Sequence, residues 1–299
     1  MEFGLVLASL SSVFFGASAA FVRRGVSRAG ESFSGAIITL PVGLLVFSLI
    51  MAFTQEWSRV WSLSWQGLLL FSGAGVVHFI LGRLLNYSSI RLIGANRATA
   101  LAMTNMLYTL LFGIVLFHES VTWLPALGIV GIASGVTLVS LERREAISEK
   151  PIKAPGARVK GILLGLGAGV FWAASGLMIK PVLPEIGSPV AGAFISYLAA
   201  TIAVAPLLVS RRQREQVTQL PRRCFVPLAI AGIFTALAHA LRYASFSLSP
   251  ISLAQPLVST YILFVLIFSF FLNRKIEVFS RKVVAGIVLV VIGALLMSR

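Results

Sequence analysis

Long apolar runs, separated by short polar breaks, dominate the chain. Ten of these runs are about 20 residues long, the length that crosses a bilayer as a helix. They cover 3–22, 32–53, 67–90, 96–117, 122–141, 159–180, 188–210, 225–247, 250–272 and 280–298. The breaks are short except 142–158, which holds Arg143, Arg144, Lys150, Lys153, two prolines and Gly156. That basic linker separates 1–141 from 159–299, with five spans on each side. The pattern predicts an all-α integral membrane protein of ten transmembrane helices.

The two halves echo each other. Gly4 to Arg24 reads apolar, then Phe14-Phe15, small residues and a basic end; Gly161 to Lys180 repeats this around Phe171-Trp172 at an offset of 157. Tyr87-Ser88-Ser89-Ile90 matches Tyr243-Ala244-Ser245-Phe246 at an offset of 156, which also pairs Ala98 with Ala254 and Leu101 with Leu257. An odd number of spans per half makes the repeats inverted in the membrane. In such ground plans the substrate site sits near the midplane, at the repeat interface.

Charge then orients the spans. Of 25 Lys and Arg, twenty fall in alternate breaks on one side. The other side has only Arg59, Lys180 and Arg299, and two arginines fall inside spans. Short Lys/Arg-rich loops stay cytoplasmic, so both termini are expected outside the cell (inner or plasma) membrane. Trp57, Trp61 and Trp65 precede the third span on the outer side and read first as an interfacial aromatic belt. The first run lacks the leading positive charges of a secretory signal, since Arg23 and Arg24 follow it, and reads as a mature helix.

Composition agrees: 58% hydrophobic and 12% charged residues, with a mean hydropathy of +0.94. The net charge of +15 lies in clusters between the spans, which suits anionic lipid headgroups and not nucleic acid. The chain has no Asp, and its ten Glu all fall in breaks or at span ends. A single cysteine, Cys224, rules out an internal disulfide. No spacing for a metal site, nucleophile elbow or phosphate loop occurs, so neither enzyme chemistry nor a cofactor is expected.

Phe14-Phe15-Gly16, Gly82-Arg83 with Asn86-Tyr87, Ile93-Gly94-Ala95 and the hinge His118-Glu119-Ser120-Val121-Thr122 accompany this architecture. Together they resemble the drug/metabolite transporter superfamily in its EamA-type ten-helix form. The resemblance implies a central cavity walled largely by helices 1, 3, 4, 6, 8 and 9. The second hinge, Asn273-Arg274-Lys275, gives Glu119 no acidic twin, and the charge bias places the termini opposite to many relatives.

Candidate chemistry lies inside the spans. The third carries His78, Arg83, Asn86 and Tyr87, and the eighth His239, Arg242 and Tyr243. Spacings of three and four put Arg83, Asn86 and Tyr87 on one helical face, and His239, Arg242 and Tyr243 on another. A charged side chain in hydrocarbon costs at least ~2.5–3.5 kcal/mol, so it faces a wet interior or snorkels to the headgroups. Facing inward, Arg83 and Arg242 suit a carboxylate through the guanidinium fork. Asn105, Trp172 and Gln255 join the candidate substrate-binding set, with inter-helix hydrogen bonding as the alternative for each. Stripes of glycine at 161, 165 and 169 and at 128, 131 and 135 read as close helix packing, and Gly73, Gly75 and Gly82 as hinge positions. No acid lies mid-span, which disfavours a proton-coupled exporter of organic cations.

The expectation is a secondary transporter that exports an amino acid or another carboxylate-bearing metabolite by alternating access. Its partners would be a small-molecule substrate, the bilayer and, as an option, a second copy of the chain. An accessory or scaffold protein of a lipid-modifying system and a cationic drug exporter stand as alternatives.

Overall fold

The computed structural model describes residues 2–29, 33–108, 111–112, 123–141, 156–179, 181–206, 214–215, 218, 220–249, 254 and 257–296. These residues are helices joined by short turns, with no strand among them. In chain order the helices are α1 (Glu2–Ala29), α2 (Phe33–Thr54), α3 (Trp57–Trp61), α4 (Trp65–Gly75), a π-helical segment (Val76–Gly82), α5 (Arg83–Ile93) and α6 (Ala95–Ala102). They continue as α7 (Trp123–Ser140), α8 (Ala157–Ile179), α9 (Leu183–Ile186), α10 (Pro189–Val204), α11 (Arg222–Leu248), α12 (Tyr261–Asn273) and α13 (Arg281–Leu296).

Among the described residues, five helical stretches are long and apolar enough to cross a membrane: 2–26, 35–54, 65–93, 157–179 and 222–248. Shorter apolar helices cover 127–139, 189–204 and 257–273. The all-helical class is thereby established, and the number of crossings stays a reading of the sequence. His118, Glu119, Lys180, Pro250, Gln255 and Pro256 lie outside the described residues.

Three predicted spans are not uniform helices. The third runs from Trp65 to Ile93 but is π-helical from Val76 to Gly82. The fourth begins after Gly94, whose φ of 87° favours glycine, and turns at Met103–Thr104. The ninth turns at Thr260. The two turns are equivalent under the 156-residue offset. Thr104 closes its turn by donating Oγ1–H to the Leu101 carbonyl at 2.7 Å, and Thr260 does so to Leu257 at 2.6 Å.

Close packing follows the same internal symmetry. A Cβ on Gly75 would collide with the backbone of Ser196, and one on Gly232 would lie 3.1 Å from Cα of Thr39. Gly75 and Gly232 are 157 residues apart, as are Thr39 and Ser196. Between α7 and α13, a Cβ on Gly293 would come within 2.6 Å of the Gly128 carbonyl. Here the glycines match at an offset of 158, Gly128 with Gly286 and Gly135 with Gly293. Helices lacking side chains at the contact approach closely, and dispersion holds them. Along α8, Gly161, Gly165 and Gly169 press on Ile93, Leu101 and Thr104 in the same way.

The offset of 158 corrects one expectation. Glu119 stands nine residues before Gly128, and Glu277 nine before Gly286, so the second hinge does carry an acidic twin, two residues beyond where the 156 offset points. Glu277 is buried at the centre of a clasp. Its Oε1 lies 2.8 Å from Nε of Arg23, with both side chains almost fully excluded from solvent. The same carboxylate accepts from the backbone N–H of Ala95 at 2.7 Å and of Asn96 at 3.3 Å, capping α6. Arg23 also donates to the carbonyls of Ile90 at 3.0 Å and Ile276 at 2.9 Å. The clasp ties α1, the α5–α6 corner and the α12–α13 connection together, and so joins the halves.

The connections at the opposite ends of these helices are also tied across the halves. Ser64 Oγ caps α4 through Gly67 N–H, and Ser64 N–H donates to the Glu185 carboxylate at 2.6 Å. Ser188 Oγ caps α10 and donates to Glu56. Hydrogen bonding from Ser64, its side chain first and its backbone N–H second, holds the Glu185 carboxyl below its ordinary pKa. A lowered folded pKa gives stability above the unfolded value of about 4.3, lost as pH falls through the lowered one. The stability difference between wild type and Glu185→Gln, read by thermal unfolding in detergent, should therefore be present at pH 7 and shrink to nothing on acidification. Trp61 and Trp65 of this region are 86% and 71% exposed, as a belt at the membrane surface requires.

Candidate functional site

A central cavity lies between α1, the π segment and α5, α6, α8, α11 and α12. Eight of the ten residues singled out in the sequence line it: His78, Arg83, Asn86, Tyr87, Asn105, Trp172, His239 and Arg242. Tyr243 does not. It is one residue past Arg242, turned by about 100° around the helix, and is buried in the apolar cluster that contains Phe79 and Tyr197. Gln255 lies outside the described residues.

Arg83 points inward and does not snorkel. Its side chain is 4% exposed, and its guanidinium donates to Thr39 Oγ1 at 3.2 Å and Tyr197 Oη at 3.3 Å. It also lies over the Phe79 ring, 4.8 Å from the centroid. Every one of these partners is neutral. They position the fork and favour the cation through ring quadrupoles, yet none cancels its charge. Arg242 reaches the cavity from α11, with its guanidinium 5.1 Å from the centre of the Phe246 ring.

The π turn sets the histidine. The N–H of Arg83 bonds the carbonyl of His78, five residues back, and Trp172 Nε1 donates to the same carbonyl at 3.3 Å. The imidazole stacks on Trp172 with centroids 5.6 Å apart and contacts His239 at 5.3 Å. Ser175 Oγ donates to the Trp172 carbonyl at 2.9 Å and sits 2.8 Å from Nδ1 of His78. The Ser175 hydroxyl thus links the imidazole to the backbone of α8 and fixes the ring's place in the wall.

The internal symmetry reveals lining residues that the sequence reading passed over. Stepping back 157 positions from Ser175 and forward 157 from His78 gives Ser18 and Thr235. Their hydroxyls bond at 2.6 Å on the far wall, and both line the cavity. Phe15, Met103 and Tyr261 supply further apolar and aromatic wall. The signal for Ser18 and Thr235 was the 157-residue offset itself, applied to small polar residues as well as to large ones.

Among the described residues, Oδ1 of Asn86 and Nδ1 of His239 in this wall are buried with no hydrogen-bond partner. Buried polar atoms are nearly always satisfied, by protein, water or ligand. Among the described residues no group of histidine, cysteine and acid could hold a metal ion.

The sequence pattern of the EamA-like transporter family matches residues 2–141 and 159–299. The chain belongs to the EamA-like transporter family. It is an integral membrane protein, and the two matched stretches are the two repeats of that family's architecture. Among solved structures, the crystal structure of another protein aligns with a TM-score of 0.59 at 16% identity. The alignment covers 98% of this chain and 95% of that one, and it shows a shared fold. No curated protein matches the chain. As an EamA-like protein it is a membrane transporter, and its cavity lies between the two repeats.

Proposed function

We propose that the protein is a secondary transporter that exports an amino acid or another carboxylate-bearing metabolite, rocking its inverted halves about a fixed central site. The basic loops face the cytoplasm and both termini lie outside, as the charge bias requires. One observation carries the substrate reading: two arginines from opposite repeats, Arg83 and Arg242, line a single cavity that has no acid among its described lining residues. In this reading the guanidinium groups hold the carboxylate. His78, Asn86, Tyr87 and His239 orient it, Trp172 and Asn105 complete the wall, and Gln255 belongs to the same set by its place in the ninth span.

The test is thermal stabilisation of the purified protein by a panel of carboxylates, neutral sugars and organic cations. Ligands that bind the folded state raise its melting temperature by mass action. Carboxylates are expected to stabilise and the other classes to have no effect. Stabilisation by cations alone would reverse the electrostatic argument. Silence across the panel would favour an accessory role in the membrane.

A further inference from the structure

The charge balance of the cavity narrows that substrate class. We infer that the ligand is a net organic anion without an amine, and that zwitterionic α-amino acids are rejected. The inference rests on the carboxylate reading above.

The two guanidinium groups bring two positive charges to one buried space. Arg83 is held by two hydroxyls and an aromatic face, so none of its charge is cancelled by its own anchors. An ammonium entering beside these groups needs an anion of its own. The chain has no Asp, and the five described Glu stand elsewhere. Glu277 is bound to Arg23 and two backbone amides, Glu56 to Ser188 and Glu185 to Ser64. Glu2 and Glu215 do not reach the cavity. The remaining five, at 31, 119, 142, 145 and 149, lie outside the described residues and, in the sequence, in the breaks between spans.

Neutral acceptors are present, Oδ1 of Asn86 among them. A neutral carbonyl can take one ammonium hydrogen, but it cannot offset the repulsion from the Arg83 cation, whose anchors are all neutral. A carboxylate alone neutralises the Arg83 guanidinium. Selectivity here comes from what the wall lacks as much as from what it offers.

Matched pairs test the inference: glutarate against L-glutamate, propionate against L-alanine, and 3-phenylpropionate against L-phenylalanine. The readouts are thermal stabilisation and uptake into proteoliposomes. The des-amino member of at least one pair is expected to bind ten-fold or more tightly than its amino acid. Equal or tighter binding of the amino acids overturns the inference and leaves the carboxylate reading standing. If no member of any pair binds, both fail together. Asn86→Asp, which places an anion where a buried acceptor now stands unpartnered, should shift the ratio toward the amino acid by ten-fold or more. Thr235→Asp does the same from the other wall should Asn86→Asp not fold. An unchanged ratio in a folded variant also overturns the inference.

Discussion

Replacing Glu277 by alanine is expected to cost about 3–5 kcal/mol of stability, the penalty for removing one partner of a buried ion pair. Arg23 would be left as a buried cation, and the amides of Ala95 and Asn96 would lose their acceptor at the start of α6. Glu277→Gln keeps an acceptor for those amides and should cost less. Swapping the charges, Arg23→Glu with Glu277→Arg, should fail to rescue. The carbonyls of Ile90 and Ile276 need a donor where Arg23 stands, and the α6 amides need an acceptor where Glu277 stands. Thermal unfolding in detergent reads all three variants. A melting temperature for Glu277→Ala equal to that of wild type would show that the clasp is not a stabilising element. Rescue by the swap would show that Coulomb attraction alone accounts for it.

The second large effect is on function. Arg83→Ala should abolish transport and weaken ligand binding by roughly 10- to 150-fold, the value of a hydrogen bond to a charged group, about 1.5–3 kcal/mol. The same change removes a buried cation whose partners are neutral, Thr39, Tyr197 and the Phe79 ring. Fold stability should therefore hold or rise while binding falls, a trade common at functional sites. Arg83→Lys keeps the charge but loses the planar fork, and should recover only part of the affinity. Ligand titration and unfolding on the same preparation separate the two effects. Transport by Arg83→Ala at the wild-type rate would remove Arg83 from the site. A large loss of stability would make its role structural.

Much of this was legible in the sequence because membrane helices announce themselves by length and apolarity. Hydrocarbon leaves few reasons to place Arg83, Asn86, His239 or Arg242 in mid-span other than an interior that wants them. Eight of the ten residues chosen on that ground share one cavity. Tyr243 escaped the rule because a tyrosine is apolar enough to serve as core, and the helical turn that brings Arg242 to the cavity carries its neighbour away. The clasp was missed for a different reason. Glu277 and Arg23 sit at span ends, where charge is ordinary, and only the fold shows that these ends are buried against each other. The paired turns at Thr104 and Thr260 were hidden because threonine closes its own turn with a hydroxyl and needs neither proline nor glycine to mark it.

The π segment carries a historical consequence. Before it, the halves match at 157, as Gly75 and Gly232 do; after it they match at 156, as Tyr87 and Tyr243 do. The first half therefore holds one extra residue between Val76 and Gly82, and α11 of the second half, which has none, is α-helical throughout. A π turn is what a membrane helix makes of one inserted residue. The π turn absorbs that residue, which would otherwise rotate everything beyond it by about 100°, and so Arg83 and Asn86 face the cavity as their counterparts His239 and Arg242 do. Deleting one residue from this stretch should remove the π turn and leave the third span α-helical throughout, as α11 is.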